Sequence, residues 1–124
     1  MNVLIVEDSR TCRKLFRDLL DAYGISTRST SSGVQAMQMI KDERPDLILM
    51  DVDLPDTSGI ALTRWVKTED ELAAVPIIVI TAADTAESER LARAAGCDDY
   101  MAKPISLVPF INTVKKYVQP VYHA

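Results

Sequence analysis

A chain of 124 residues, 48% hydrophobic and 26% charged, is long enough for one domain around a single core and too short for two. Its net charge of −4 at pH 7 argues against direct nucleic-acid binding, which needs a basic surface. The longest apolar runs, "PIIVI" and "LILM", fall far short of the ~20 residues that cross a bilayer, so no membrane insertion is expected.

The start, "MNVLIVED", lacks the basic lead and the length of a signal peptide, and residues 2–6 read as a first strand. Leu15, Phe16, Leu19 and Leu20 mark one face of a helix from about 10 to 22, with Gly24 placed to end it. "ISTRS" (25–29) is the weakest strand signal, and Val34, Ala36, Met37 and Ile40 mark a second helix. "DLILM" (46–50) predicts the third strand. Ser58 and Gly59 then introduce a helix marked by Ile60, Leu62, Trp65 and Val66, with Trp65 read as core packing. "PIIVI" (76–80) predicts the fourth strand. A polar helix follows from near Asp84, weakly marked by Leu91 and Ala94 and stopped at Gly96. "CDDYMA" (97–102) predicts the last strand, and Leu107, Phe110, Ile111, Val114 and Val118 the last helix, with Ser106 as its N-cap.

Three of the five strand runs are continuously apolar, as suits strands buried on both faces of a parallel sheet covered by helices. Strand and helix alternate five times, and right-handed crossovers turn that order into a doubly wound α/β fold. Its ligand site lies beyond the carboxyl ends of the strands. No repeat, low-complexity tract or linker divides the chain, so residues 1–124 read as one domain. Cys12 and Cys97 have no C-x-x-C or Cys/His spacing and read as free thiols in a reducing, cytoplasmic compartment.

The residues that end the strands carry the chemistry. Glu7 and Asp8 follow "VLIV", Asp51 follows "LILM", Thr81 follows "IIVI", and Lys103 closes "DDYMAK". Parallel strands would deliver all of them to one edge, as three carboxylates, a hydroxyl and an ammonium. The excess negative charge requires either protonated carboxylates with raised pKa values or a bound cation. Oxygen ligands without His or Cys favour a hard ion, Mg²⁺ foremost, which keeps several waters and bridges to phosphate oxygens. Lys103 and the metal would balance a phosphoryl group attacked by a carboxylate, with Thr81 donating to a phosphoryl oxygen. Any one of these residues alone is as well read as an N-cap or a solvated loop group; four strand ends together are not. Asp56 reads as a solvated loop acid.

"LIVEDS", "DLILMDVDLPDTSG", "VITA" and "DDYMAKP", in this order, resemble the signature segments of the response-regulator receiver domain of the CheY-like superfamily, and the resemblance covers the whole chain. "LFRDLLDAYG", "RWVKTEDELAAVPIIVITA" and "CDDYMAKPIS" are similar to single-domain regulators of the DivK type. The resemblance implies a five-stranded sheet in the flavodoxin-like order 2-1-3-4-5. It implies Asp51 as phospho-acceptor, and Mg²⁺, with Mn²⁺ able to substitute, on Asp8, Asp51, the backbone carbonyl of Asp53 and, through water, Glu7. Thr81 and Lys103 would contact the phosphoryl group. Tyr100 would be an aromatic switch coupled to Thr81, although its position alone reads more readily as half-buried packing. Lys103–Pro104 would be a cis peptide. Pro55 and Gly59 fit the loop after the acceptor, where one stiffens the turn and the other permits tight backbone geometry. Ala83 and Asp53, which vary within the family, would tune hydrolysis.

The implied partners are a histidine kinase or histidine phosphotransfer protein, and a downstream protein bound through the last helices and strand. Nothing remains after the fifth helix for an output domain, so output is expected through protein contact. Arg13, Lys14 and Arg17 read either as a guide for an acidic partner or as a solvated face, as do Arg90, Arg93, Lys115 and Lys116 for an output surface. His123 reads as a frayed terminal residue, and Val121 and Tyr122 offer only apolar character. The alternative is a haloacid-dehalogenase-like phosphohydrolase using Asp51 and Asp53 of "DVDLP". That motif usually follows a first strand, whereas here it follows the third. A flavodoxin-like FMN site is opposed by "EDSRT", which lacks glycine and would repel a phosphate.

Overall fold

The apolar runs become five strands, β1 (Asn2–Val6), β2 (Ser26–Thr30), β3 (Leu47–Asp51), β4 (Ile77–Thr81) and β5 (Asp99–Ala102). They alternate with five helices, α1 (Arg10–Ala22), α2 (Gly33–Asp42), α3 (Gly59–Thr68), α4 (Ala86–Ala94) and α5 (Leu107–Val114). The computed structural model describes residues 2–119; Val121, Tyr122 and His123 lie outside the described residues. Every strand pairing is parallel and the order is β2-β1-β3-β4-β5, the doubly wound arrangement.

Each face of the sheet has its own core, because successive side chains of a strand point to opposite sides. Leu4, Val6, Ile48, Met50, Ile77 and Val79 pack with Ala36 and Ile40 of α2 and Leu62 and Val66 of α3. Val3, Ile5, Leu49, Ile78 and Ile80 pack on the other face with Phe16 and Leu20 of α1 and Phe110, Ile111 and Val114 of α5. The Phe16 and Phe110 rings stack there with centroids 5.4 Å apart. β3 and β4 are buried along their whole length, which explains their unbroken apolar sequences. β2 is an edge strand, partly exposed, and so tolerates the polar "STRST".

Local chemistry starts and stops the helices. The side chains of Ser9, Ser32, Ser58 and Thr85 accept backbone N–H groups of α1, α2, α3 and α4, satisfying donors that no earlier carbonyl reaches. Ser106 holds the corresponding position before α5 but makes no such bond. Gly24 takes φ 72° after α1, a left-handed turn that suits glycine.

Several boundaries and faces differ from the sequence expectation. β3 and β4 extend to include Asp51 and Thr81, so these side chains are the last strand positions rather than loop residues. α4 begins at Ala86 rather than near Asp84, and buries Ala92 while Leu91 and Ala94 are exposed. Its inward surface is small alanines, which carry little periodic signal. Leu15, Val34 and Leu107 are also exposed. Apolar character suggested them, but the buried stripes run through Phe16 and Leu20, through Gly33, Ala36 and Ile40, and through Phe110, Ile111 and Val114. Trp65 is half-buried at the edge of its core, with the Lys41 ammonium 5.6 Å from its ring centroid. Cys12 and Cys97 are free thiols. Among the described residues, no helix is long and apolar enough to cross a membrane.

Phe110 is fully buried and ties α5 to α1. Replacing it with alanine is expected to cost about 3–5 kcal/mol, read as a lower urea midpoint with an unchanged slope; a loss below about 1 kcal/mol would contradict this account of the second core.

Candidate functional site

Strand register assembles the site. Val6 lies opposite Met50, Asp51 opposite Ile80, and Thr81 opposite Ala102. One step further along each strand, Glu7 falls level with Asp51 and Lys103 follows beside Thr81. Glu7 is 2% exposed, Asp51 6% and Thr81 0%, so the carboxylates and the hydroxyl lie at the floor of the cleft.

Glu7 is held at both oxygens. One accepts the Ser9 backbone N–H at 2.9 Å, and the other lies 2.5 Å from Lys103 Nζ without a bond of regular hydrogen-bond geometry. The same ammonium is 3.7 Å from Asp51 Oδ1. One cation therefore stands against two buried carboxylates. Burial, reinforced by Glu7, pushes the Asp51 carboxyl up to about 6, against the opposing pull of Lys103 and the Asp53 backbone N–H. Burial acts to lower the Lys103 pKa, but Glu7 and Asp51 outweigh it and hold the ammonium above its ordinary value.

The other expected residues take distinct places. Thr81 accepts the Ala83 N–H on its hydroxyl at 3.1 Å and the Lys103 N–H on its carbonyl at 2.9 Å. Its O–H therefore remains able to donate, and its backbone is tied to Lys103. The Lys103–Pro104 peptide is cis. Tyr100 packs against the core beneath α3 and α4, and its hydroxyl is buried without a hydrogen bond. Burial raises its pKa, with Ser88 opposing and Asp84 adding to the effect. Asp8 stays exposed at the rim. Arg13 is not a free surface charge: its guanidinium donates to the carbonyls of Glu7 and Asp8, both at 2.8 Å, and so pins the turn between β1 and α1. Lys14 instead pairs with Asp18 on the exposed face of α1.

The loop after Asp51 is a narrow hairpin. Asp53 bridges antiparallel to Ser58, and Gly59 N–H donates to the Val52 carbonyl at 2.8 Å. A Cβ at Gly59 would sit 1.9 Å from the Asp51 carbonyl oxygen. Glycine is required there by close approach, since its φ is not positive. Asp56, at the hairpin tip, corrects the expectation of a solvated loop acid. Although exposed, its carboxylate accepts Ser32 O–H at 2.7 Å, Gly33 N–H at 2.9 Å and Val34 N–H at 3.0 Å. These bonds, Val34 first, hold its pKa down at about 2. The first turn of α2 has no acid of its own, but neither have those of α1, α3 and α5, so the sequence carried no signal for this contact.

The donor chemistry suits a hydrated hard cation. Among the described residues, no group of three acidic, His or Cys side chains is placed to hold a metal alone. Glu7 and Asp51 meet around Lys103, while Asp8 stays at the rim. Mg²⁺ fits such a set, since it keeps several waters and uses one or two carboxylates rather than a protein cage. Two buried carboxylates beside a single ammonium, with the Asp51 carboxyl raised, leave negative charge for such a cation to offset.

The family described as response regulator receiver domain matches residues 3–115. The chain belongs to the response-regulator receiver domains. The polar-differentiation response regulator DivK of Brucella anthropi is 45% identical over 117 residues, covering 94% of this chain and 95% of that protein; its Brucella ovis counterpart is 44% identical with the same coverage. A putative response regulator from Chloroflexus aurantiacus superposes with TM-score 0.90 at 30% identity, covering 94% of this chain and 95% of the other. The receiver domain of sensor histidine kinase PA1611 from Pseudomonas aeruginosa, solved with a magnesium ion coordinated in its active-site cleft, superposes with TM-score 0.86 at 28% identity, covering 94% and 95%. Receivers are phospho-acceptor switches of two-component signalling, with Mg²⁺ as their usual metal, and this one is DivK-like. The phosphohydrolase and FMN readings give way to this family.

The raised Asp51 carboxyl has a consequence for stability. Without Mg²⁺ the unfolded chain releases this proton near pH 4 and the folded chain near 6, so the folded state loses stability as pH rises through that window. Asp51→Asn is therefore expected to be more stable than the native chain at pH 7 without divalent cations, by about 2 kcal/mol, with the gain fading as pH falls towards 4. Urea midpoints across pH test this, and a gain independent of pH would contradict it.

Proposed function

We propose that this receiver takes a phosphoryl group from a phosphohistidine of a histidine kinase or phosphotransfer protein onto Asp51, and that the modified domain changes its affinity for a downstream protein. The observation that carries the reading is the buried Asp51 at the end of β3, sharing one ammonium with Glu7. An Asp51 oxygen attacks phosphorus, the new P–O bond forms as the P–N bond to the imidazole breaks, and the imidazole leaves with the bonding pair. Bound Mg²⁺ would neutralise phosphoryl charge and favour ionised Asp51; Asp8, Asp51 and the Asp53 carbonyl would hold it, with Glu7 acting through water.

The chain's own groups do the rest. Lys103 carries three donors, so it can turn towards a phosphoryl oxygen while Glu7 keeps it in the cleft. Thr81 has its hydroxyl proton free to donate. Movement of Thr81 pulls directly on Lys103 and Ala83 through the bonds described above. Tyr100, whose buried hydroxyl sits beside Ser88 and Asp84 without a regular hydrogen bond, is free to change position when Thr81 moves. That couples the site to a surface of α4, β5 and α5, where an effector would read the state.

The near-complete mutual coverage with DivK supports a stand-alone receiver acting in the cytoplasm through protein contacts. Ala83 and the Asp53 side chain are both exposed, which suits a role in admitting and orienting the water that hydrolyses the acyl phosphate.

Acetyl phosphate with Mg²⁺ is expected to add one phosphoryl group per chain, seen by intact mass spectrometry, and Asp51→Asn is expected to abolish the gain. Retention of the gain in that variant, or repeated turnover of a phosphomonoester, would overturn the proposal.

A further inference from the structure

α2 draws the negative charge at its N-terminus from another segment. Helix N-termini favour an anion because their first N–H groups point outward without partners. The first turn of α2 contains no acid, and Ser32 reaches only the Gln35 N–H. The Gly33 and Val34 amides are taken by Asp56, more than twenty positions later in the chain. Steric fit reinforces the seam: a Cβ at Gly33 would lie 2.2 Å from Thr57 Cγ2 and 3.0 Å from Leu62 Cδ1. The hairpin tip therefore rests directly on the first residue of α2.

The other end of this hairpin is the acceptor site. Asp53 and Ser58 bridge its two arms, and Gly59 holds it against the Asp51 carbonyl. The six residues from Asp53 to Ser58 are thus fixed at the base by the bridge and at the tip by Asp56. We propose that Asp56 is a positioning residue for the metal site: by anchoring the hairpin to α2 it sets the Asp53 carbonyl, and conversely an ion bound there is felt at Gly33 and Val34. This rests on the reading of the Asp53 carbonyl as a Mg²⁺ ligand. Asp56 itself contacts neither the metal nor the phosphoryl group. It acts as the outer support that keeps a ligand oriented, and loss of such support commonly weakens metal affinity by about 10–100-fold.

Amide NMR of the full chain titrated with Mg²⁺ tests the proposal, because Thr81 and Ala83 report the cleft while Gly33 and Val34 report the seam. In the native chain both pairs are expected to shift together, with one dissociation constant. In Asp56→Ala the Thr81 and Ala83 amides should still respond, at a dissociation constant about tenfold higher, while Gly33 and Val34 cease to follow; Asp56→Glu, which keeps the carboxylate, should recover part of both. Unchanged Mg²⁺ affinity in Asp56→Ala, or silent Gly33 and Val34 amides in the native chain while Thr81 and Ala83 respond, would overturn the inference and leave the receiver chemistry standing. Silence at Thr81 and Ala83 in the native chain would instead bring down the metal site and this inference with it.

Discussion

Two buried carboxylates, Glu7 and Asp51, share one lysine at the ends of neighbouring parallel strands. Like charges in a desolvated cleft repel, and a single cation does not neutralise two of them. Burial first, and Glu7 beside it, raise the Asp51 carboxyl well above the usual carboxylate range. A bound cation would relieve the repulsion in a different way, by supplying the missing positive charge. The site therefore holds an unfavourable arrangement, and the apolar sheet beneath is what makes it persist.

The supporting structure limits how that relief can spread. Arg13 pins the turn that carries Glu7 and Asp8. Gly59 lets α3 approach the Asp51 carbonyl, and Asp56 fastens the intervening hairpin to α2. On the other side Thr81 is bonded to Ala83 and Lys103, with the unpartnered Tyr100 hydroxyl nearby in β5. One seam is tight and saturated with hydrogen bonds. The other keeps a spare donor at Thr81 and a Tyr100 hydroxyl without a regular hydrogen bond.

Much of this was legible in the sequence. The unbroken apolar runs of β3 and β4 marked central strands, and the polar residues after each run located Glu7, Asp51, Thr81 and Lys103 on one edge. What escaped was whatever depended on contacts between distant segments. Asp56 looked like a loop acid because its partners, Ser32, Gly33 and Val34, are remote in the chain. Arg13 looked like a free surface charge because backbone carbonyls leave no trace in a sequence. Leu15, Val34 and Leu107 were read as inward for being apolar, but a helix face is decided by which neighbours arrive to cover it. The inward face of α4 gave no periodic signal because it is made of small alanines.

Carbon-13 NMR of labelled aspartate, titrated over pH with and without Mg²⁺, measures the Asp51 carboxyl itself. Burial, reinforced by the neighbouring Glu7, predicts an apparent pKa near 6 without the ion and a clear downward movement when Mg²⁺ is bound. An ordinary value of about 4 in both conditions would contradict the claim that the cleft is built around uncompensated negative charge.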